Sequence, residues 1–525
     1  MNQRPHDSFT RLGAMPALDP AGRRSERLLF VILVTAAAAI LRGYHLGASP
    51  LWIDEYQTWR NLHPGAGHGL WEQFRDNIQG PLYLLLSWRP GQPASPEWLL
   101  RLPAALAGIL AVPVMYKLGS EWRDRSTGAW AALLLALNPF HVWYGQEARG
   151  YSLMILLAMA ASLQLLRMQR HGASTRGGLT YGLLAGLAVL SNMSALFLVA
   201  AHALGVLLLH RPRDGRGWRG WAVAFGLTGL IALPWLLQAT GFWYPGRLAA
   251  GGGGGLLPEG QERLTPLAVP YALYTFFYGF SLGPTLEELH RPDRLEIVRR
   301  YLPLLAAGAL AAAFPTFTGW WRSRRRLETV LWVAVPFVAL VAMRLLDVKT
   351  FTPRYLAVTA PFLLLAAGHG LSTLHGWTVR AASLALLGLT LWSSASYHVD
   401  PRYAKDDVRS AAVWIANQDA AGEPVLVPVV TDLFRLYYDG RGEVRDFWGL
   451  GALGSRADAT RALSERIGGA DQAWLVLCRS GTLDPGHHFP AALDDLGDVV
   501  AVREFPGVTA LRWRRAPSAG GEAGR

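Results

Sequence analysis

Long apolar runs separated by short polar loops dominate the chain from residue 28 to residue 392. They recur at Leu28–Leu41, Leu102–Leu118, Ala129–Trp143, Ser152–Leu166, Leu179–Leu190, Ala195–Leu209, Trp221–Leu237, Leu302–Phe317, Val330–Leu346, Leu356–Gly370 and Ala381–Trp392. Several are shorter than the roughly 20 residues expected of a membrane span, but helices bundled around a cavity can be short or tilted. The pattern predicts about eleven transmembrane helices, and up to thirteen. From about Ser396 the chain becomes soluble in character. There Lys405–Asn417 predicts an amphipathic helix, and Pro424–Val430, Ala473–Cys478 and Val499–Phe505 predict strands. The expected fold is mainly α: a polytopic transmembrane helix bundle followed by a small C-terminal α/β domain. The boundaries are a tail over 1–27, a membrane part over 28–397 with a large outer loop at 43–101, and a domain over 398–525.

Composition supports the bilayer. Hydrophobic residues make up 51% of the 525 and charged ones 17%, against roughly 25% charged in soluble domains. Disorder and collagen-like structure are excluded by the same numbers. The single cysteine, Cys478, excludes a disulfide framework and any Cys-based zinc or iron–sulfur site. The net charge of +12 would suggest a nucleic-acid partner in a soluble protein, but the basic residues cluster by loop. One set is Arg4, Arg11, Arg23, Arg24 and Arg27; Lys117, Arg123 and Arg125; Arg167, Arg170 and Arg176; Arg211, Arg213, Arg216 and Arg219; and Arg322, Arg324, Arg325 and Arg326. The alternate loops Tyr144–Gly150, Ser191–Ser194 and Asp347–Arg354 are nearly free of them. The positive-inside rule makes the first set cytoplasmic and the second external. This alternation requires Pro81–Trp88 and Pro266–Gly283 to be re-entrant or interfacial. Leu28–Leu41, with basic residues before it and small residues at Ala36–Ala39, has features of a signal peptide, but the long polar tail favours an uncleaved anchor. The Gly251–Gly255 run lacks a following Lys-Ser/Thr and a flanking strand, so it reads as a tether rather than a phosphate cradle.

Three polar clusters fall on the expected external face. Asp54 and Glu55 follow the first span, flanked by Trp52, Tyr56 and Trp59. Adjacent acids point in different directions, so one can face a cavity while the other fixes a neighbour. A plain reading is a solvated acidic turn among interfacial aromatics. The second cluster is the elbow Trp143–Ser152, which carries Glu147 and Arg149; a helix-capping acid with an interfacial arginine would also explain it. The third is Asp347–Tyr355, where Lys349 and Arg354 enter a span on the face that should be poor in cations. Snorkelling would account for them equally.

These clusters, taken in order with Gly80–Leu86 and Arg101–Leu106, resemble the GT-C superfamily of membrane glycosyltransferases. The likeness is to the family 39-like branch that holds the protein O-mannosyltransferases and the lipid A aminoarabinose transferase. It covers about residues 25–370 and rests on Trp52–Tyr56, Gly80–Leu86, Arg101–Leu106, Trp143–Leu153 and Arg354–Leu365. One departure stands out. The family commonly has His-Pro-Pro before the Leu-Tyr run, whereas this chain has Gln79-Gly80-Pro81.

The resemblance implies an inner-membrane, multi-pass enzyme with its site on the extracytoplasmic face. It would move a sugar from a polyprenyl-phosphate donor to a lipid, glycan or protein acceptor. Catalytic roles fall to Asp54, as general base, and Glu55, which would orient it or a neighbouring cation. Substrate contact falls to Glu147, Arg149, Lys349, Arg354, Gln79 and Tyr83, with the cations neutralising the departing phosphate. No DxD motif occurs in the first loop, so no metal is expected, and no cofactor beyond the lipid-phosphate sugar as co-substrate. Membrane lipids are expected partners and nucleic acid is not. A polytopic lipid or solute transporter or flippase would also explain many spans and cavity charges, but internal repeats and broken midplane helices are not evident. A scaffold acting through the external domain would not need Asp54 and Glu55.

Overall fold

The computed structural model describes residues 20–63, 79–88, 96–212, 214–243, 267–285, 288–289, 294–346, 349–418 and 422–516. Arg4, Arg11, Arg213 and the Gly251–Gly255 run lie outside the described residues. All eleven apolar runs fall on helical structure. In chain order the membrane part contains α1 (Pro20–Gly43), α2 (Ile53–Leu62), α3 (Pro81–Ser87), α4 (Glu97–Trp122), α5 (Arg125–Leu137), α6 (Pro139–Gly145), α7 (Tyr151–His171) and α8 (Thr175–Ser191). There follow α9 (Ala195–Leu208), α10 (Gly215–Trp243), α11 (Ala268–Tyr278), α12 (Arg294–Arg322), α13 (Arg326–Leu345), a 3₁₀ turn (Pro353–Thr359), α14 (Ala360–Thr373) and α15 (Gly376–Val399). Among the described residues six helical stretches are long and apolar enough to cross a membrane: 97–122, 151–171, 215–238, 295–322, 326–345 and 353–373. Many of their leucines point outward, with Leu230 71% exposed and Leu310 70% exposed. Such a surface suits a solvent of acyl chains. The protein is a membrane-embedded, multi-pass helix bundle.

One predicted span is divided. Ala129–Trp143 breaks at Asn138, because Pro139 has no N–H to donate back into the preceding turn. The Asn138 side chain caps the new helix at the His141 N–H, 2.8 Å away, and donates to the carbonyls of Phe276 and Phe277 on α11. At the end of α5, Arg42 of α1 donates to two carbonyls of the last turn, one of which also accepts the Asn138 N–H. Its Nη1 donates to Ala136 O at 2.9 Å and its Nη2 to Leu135 O at 3.1 Å. The segments α3 and α11, with 7 and 11 residues, rise only about 10 and 16 Å, too little to cross the hydrocarbon layer.

After α15 the chain forms a second 3₁₀ turn (Pro401–Tyr403), α16 (Val408–Gln418), β1 (Val425–Leu426), α17 (Thr431–Tyr437), β2 (Val444–Arg445), α18 (Arg456–Ile467), β3 (Gln472–Leu477), α19 (Phe489–Asp494), β4 (Gly497–Phe505) and β5 (Val508–Arg515). The strands form one sheet in the order β2-β1-β3-β5-β4; β1 pairs in parallel with β2 and β3, and β5 runs antiparallel to β3 and β4. Alternation along β3 sends Trp474 and Val476 to one face and Ala473 and Leu475 to the other. The second face packs on α18 and α19. The first packs on α16 and α17, and its apolar core continues into Leu51, Tyr83, Leu84, Leu100 and Ala148 of the membrane part. The C-terminal domain therefore shares a core with the loop between α1 and α4. The run Pro424–Val430 contributes only Val425–Leu426 as strand, and β5 has no counterpart in the sequence pattern because Arg512, Arg514 and Arg515 interrupt its apolar alternation.

Candidate active site

Asp54 and Glu55 occupy the first turn of α2, where the unsatisfied N–H groups favour negative charge. One residue of helix turns the two carboxylates about 100° apart, and their surroundings differ accordingly. Glu55 is fully buried. Arg101, near the start of α4, meets it with two parallel bonds, Nε to Oε1 at 2.8 Å and Nη2 to Oε2 at 2.7 Å. The remaining Arg101 donors reach the carbonyls of Leu46, Ser49 and Pro50 at 2.8 to 2.9 Å. All five guanidinium N–H groups are thereby used, and the loop that enters α2 is wrapped around one side chain. Glu55 Oε1 also accepts the Ala148 N–H at 2.8 Å and lies 3.4 Å from Lys405 Nζ. Burial alone would raise the Glu55 carboxyl; the charges of Lys405 and Arg101, with the bonds from Arg101 and Ala148, overcome it and hold the group down at about 2.

Asp54 faces the other way, toward a cation. Its Oδ2 is paired with Arg354 Nη1, both side chains keeping some exposure. Arg149 donates to the Asp54 carbonyl at 3.1 Å. Lys349 Nζ lies 4.7 Å from the centre of the Tyr355 ring and the Arg354 guanidinium 5.3 Å from it, so one aromatic ring is shared by both cations. Asp54, Arg149, Arg354 and Lys349 thus converge from three regions far apart in sequence.

Each residue of the elbow after α6 has its own task. Gln146 Nε2 reaches carbonyls at the end of α1, Tyr44 O at 2.7 Å and Leu41 O at 3.2 Å, and its Oε1 accepts from Tyr397. Glu147 is buried and accepts from Trp143 Nε1 at 3.1 Å. Burial pushes its carboxyl up to about 7; Asp54 and Glu55 add to the rise, while Lys405 and Arg149 oppose it. Ala148 and Arg149 hold the two acids of α2. Close approach fixes the frame. A Cβ on Gly150 would lie 2.2 Å from Ser191 O, and one on Gly80 2.1 Å from the same oxygen, so both loops rest against the end of α8. Gly80 of the departing Gln79-Gly80-Pro81 motif meets a need for space. Gln79 Oε1 accepts from Thr58 of α2 at 3.1 Å. Tyr83 is buried and donates to Leu100 O at 2.8 Å, tying α3 to α4.

Arg101, Tyr355 and Lys405 escaped nomination from the sequence. Arg101 carried a signal, a cation opening an apolar helix, and Tyr355 sat beside a nominated arginine. Lys405 carried none. It enters from the C-terminal domain, with Nζ donating to Gln146 O at 2.8 Å. A second residue of that domain, Arg479, pairs with Asp406 at 2.5 Å and stacks over Trp52 at 4.9 Å. Its backbone is left-handed, φ 50°, a conformation uncommon outside glycine. Among the described residues no three His, Cys, Asp or Glu side chains come together as a metal would need.

This fold has counterparts among solved structures. ArnT from Cupriavidus metallidurans bound to undecaprenyl phosphate matches with a TM-score of 0.52 at 14% identity, over 93% of this chain and 98% of that one. The oligosaccharyltransferase AglB from Archaeoglobus fulgidus, in complex with an inhibitory peptide and a dolichol-phosphate, matches with a TM-score of 0.51 at 14% identity over 93% of this chain and 74% of that one. An Archaeoglobus fulgidus oligosaccharyltransferase tethered with an acceptor peptide gives a TM-score of 0.54 at 14% identity over 95% of this chain and 75% of that one. The chain has the GT-C fold. Residues 94–237, which span α4 to α10, also match the family of dolichyl-phosphate-mannose-protein mannosyltransferases. No curated protein matches the sequence. Within the GT-C fold the matched segment contributes Arg101 and the elbow, while Asp54 and Arg354 lie to either side of it.

Proposed function

We propose that this protein is a glycosyltransferase of the inner membrane, which moves a sugar from a polyprenyl-phosphate donor to a lipid, glycan or protein acceptor on the extracytoplasmic face. The observation that carries the reading is the Asp54–Arg354 ion pair, with Arg149 and Lys349 beside it. A carboxylate next to fixed cations is the arrangement this reaction needs. The acceptor hydroxyl or amine attacks the anomeric carbon and gives its proton to Asp54. The bond from that carbon to the phosphate oxygen breaks, and polyprenyl phosphate leaves. Negative charge grows on the leaving phosphate, where Arg354 and Lys349 meet it without a metal. Glu55 does not face the reactants; with Arg101 it anchors the α2 turn that carries Asp54. Glu147 lies under the site, Tyr83 and Gln79 brace α2 and α3, and substrate contact falls to Arg149, Lys349 and Arg354. Undecaprenyl phosphate in the solved ArnT and dolichol-phosphate in AglB support a lipid-linked donor.

The test is transfer from radiolabelled undecaprenyl-phosphate sugars to extracted envelope lipids, glycans and proteins, using purified protein in nanodiscs. Labelled product that is lost in Asp54→Asn is expected. Movement of the donor between leaflets without any transfer would replace this reading with the transporter one.

A further inference from the structure

We propose that Lys405, supplied by the external domain, is a positioning residue that holds Asp54 in place for the transfer step. The inference rests on the functional reading above and adds a residue from outside the membrane part to it. Lys405 is 3% exposed at its side chain and lies before α16, in the short segment that joins the bundle to the sheet domain. Its Nζ donates to Gln146 O at 2.8 Å, approaches Glu55 Oε1 to 3.4 Å, and sits 5.6 Å from the Trp143 ring centre. These contacts tie the elbow and the α2 turn to each other. From Glu55 the connection runs one residue to Asp54, and from the elbow it returns through Arg149 to the Asp54 carbonyl. Asp54 is therefore fixed from both sides by groups that Lys405 joins.

A buried lysine is an expensive way to glue two domains, and apolar contacts already do that work here. Val408, Ala411, Phe434 and Leu433 pack in one core with Leu51, Leu100 and Ala148. Hydrogen bonds add to the docking, with Tyr437 Oη accepting the Leu51 N–H at 2.9 Å and Arg409 Nη1 donating to Glu97 at 3.0 Å. The charge has a narrower use: two buried acids, Glu55 and Glu147, lie near Lys405, and its ammonium favours the ionised form of both. Lys405 touches no atom that would react. Its removal should act through geometry, and small misplacements of a catalytic group cost up to about 10²-fold in rate.

Lys405→Met keeps the aliphatic stem and removes the charge; Lys405→Arg restores the charge. Two readouts separate the ideas. In hydrogen–deuterium exchange, Lys405→Met should speed exchange over residues 51–58 and 145–150 and leave β3 unchanged, with Lys405→Arg nearer to the native protein. In transfer assays, kcat should fall by about tenfold to 10²-fold with the donor KM within about twofold. Should Lys405→Met fail to elute as a folded species, Lys405→Arg carries both measurements, with an intermediate change expected. Native exchange over both segments, or a changed donor KM with native kcat, would overturn the proposal. If the native protein transfers no sugar, the functional reading fails while the exchange experiment still decides whether Lys405 orders the Asp54 turn.

Discussion

Replacing Glu55 with glutamine removes one charge and leaves almost every atom in place, so its cost can be worked from the contacts. The amide keeps one acceptor oxygen, but its NH₂ must face either an Arg101 N–H or the Ala148 N–H and Lys405, donors meeting donors. Breaking one side of a buried ion pair typically costs about 3–5 kcal/mol. The interval between the usual 4.5 and about 2 for this carboxyl corresponds to about 3 kcal/mol in favour of the ionised form, which agrees. That stabilisation is whole above about pH 4.5 and is lost as pH falls toward 2, because the folded protein resists taking up the proton. In detergent, Glu55→Gln should lower the thermal midpoint followed by size-exclusion fluorescence on the order of 5 °C, and transfer should fall with it. Asp54→Asn, whose partner Arg354 remains partly exposed, should lose about 10²–10⁴ in transfer rate with little change in midpoint. A Glu55→Gln protein of native midpoint and no activity would refute the division of labour between the two acids and move Glu55 into the chemistry.

Other expectations can be checked with the same preparations. Arg354→Ala and Lys349→Ala should raise the donor KM and lower kcat while eluting as folded protein; native rates at low donor concentration would reassign both to surface anchoring. Glu147, raised to about 7 mainly by burial, favours its protonated form in the folded state, so its contribution is whole below about pH 4.5 and declines as pH rises to about 7. Glu147→Gln should therefore gain in thermal midpoint relative to the native protein between pH 5 and pH 8, and a constant difference across that range would contradict the shift. With Cys478 replaced, single cysteines at the exposed positions Tyr44 and Trp448 should label in intact cells, and one at Arg123 only after permeabilisation; the reverse pattern would invert the topology.

The sequence alone determined the helix bundle, because burial in lipid demands long runs of apolar residues whose backbone bonds close within each helix. It also marked Asp54, Glu147, Arg149, Lys349 and Arg354 as chemistry out of place on an apolar background, since charge near a bilayer persists only where something compensates it. The two adjacent acids looked alike in sequence, and neighbours hundreds of residues away decided between them: Arg101 and Lys405 enclose Glu55, while Arg354 faces Asp54. The break at Asn138 was written in Pro139, but its repair by Arg42 of α1 required the packed structure. Lys405 is the clearest case. In sequence it opens the amphipathic helix expected over Lys405–Asn417, but the helix starts only at Val408, and the docking of the C-terminal domain, through a core that no local pattern encodes, carries its ammonium against the α2 turn. Periodicity is a property of neighbours along the chain, whereas an ion pair is a property of neighbours in space, and this site is built from the second kind.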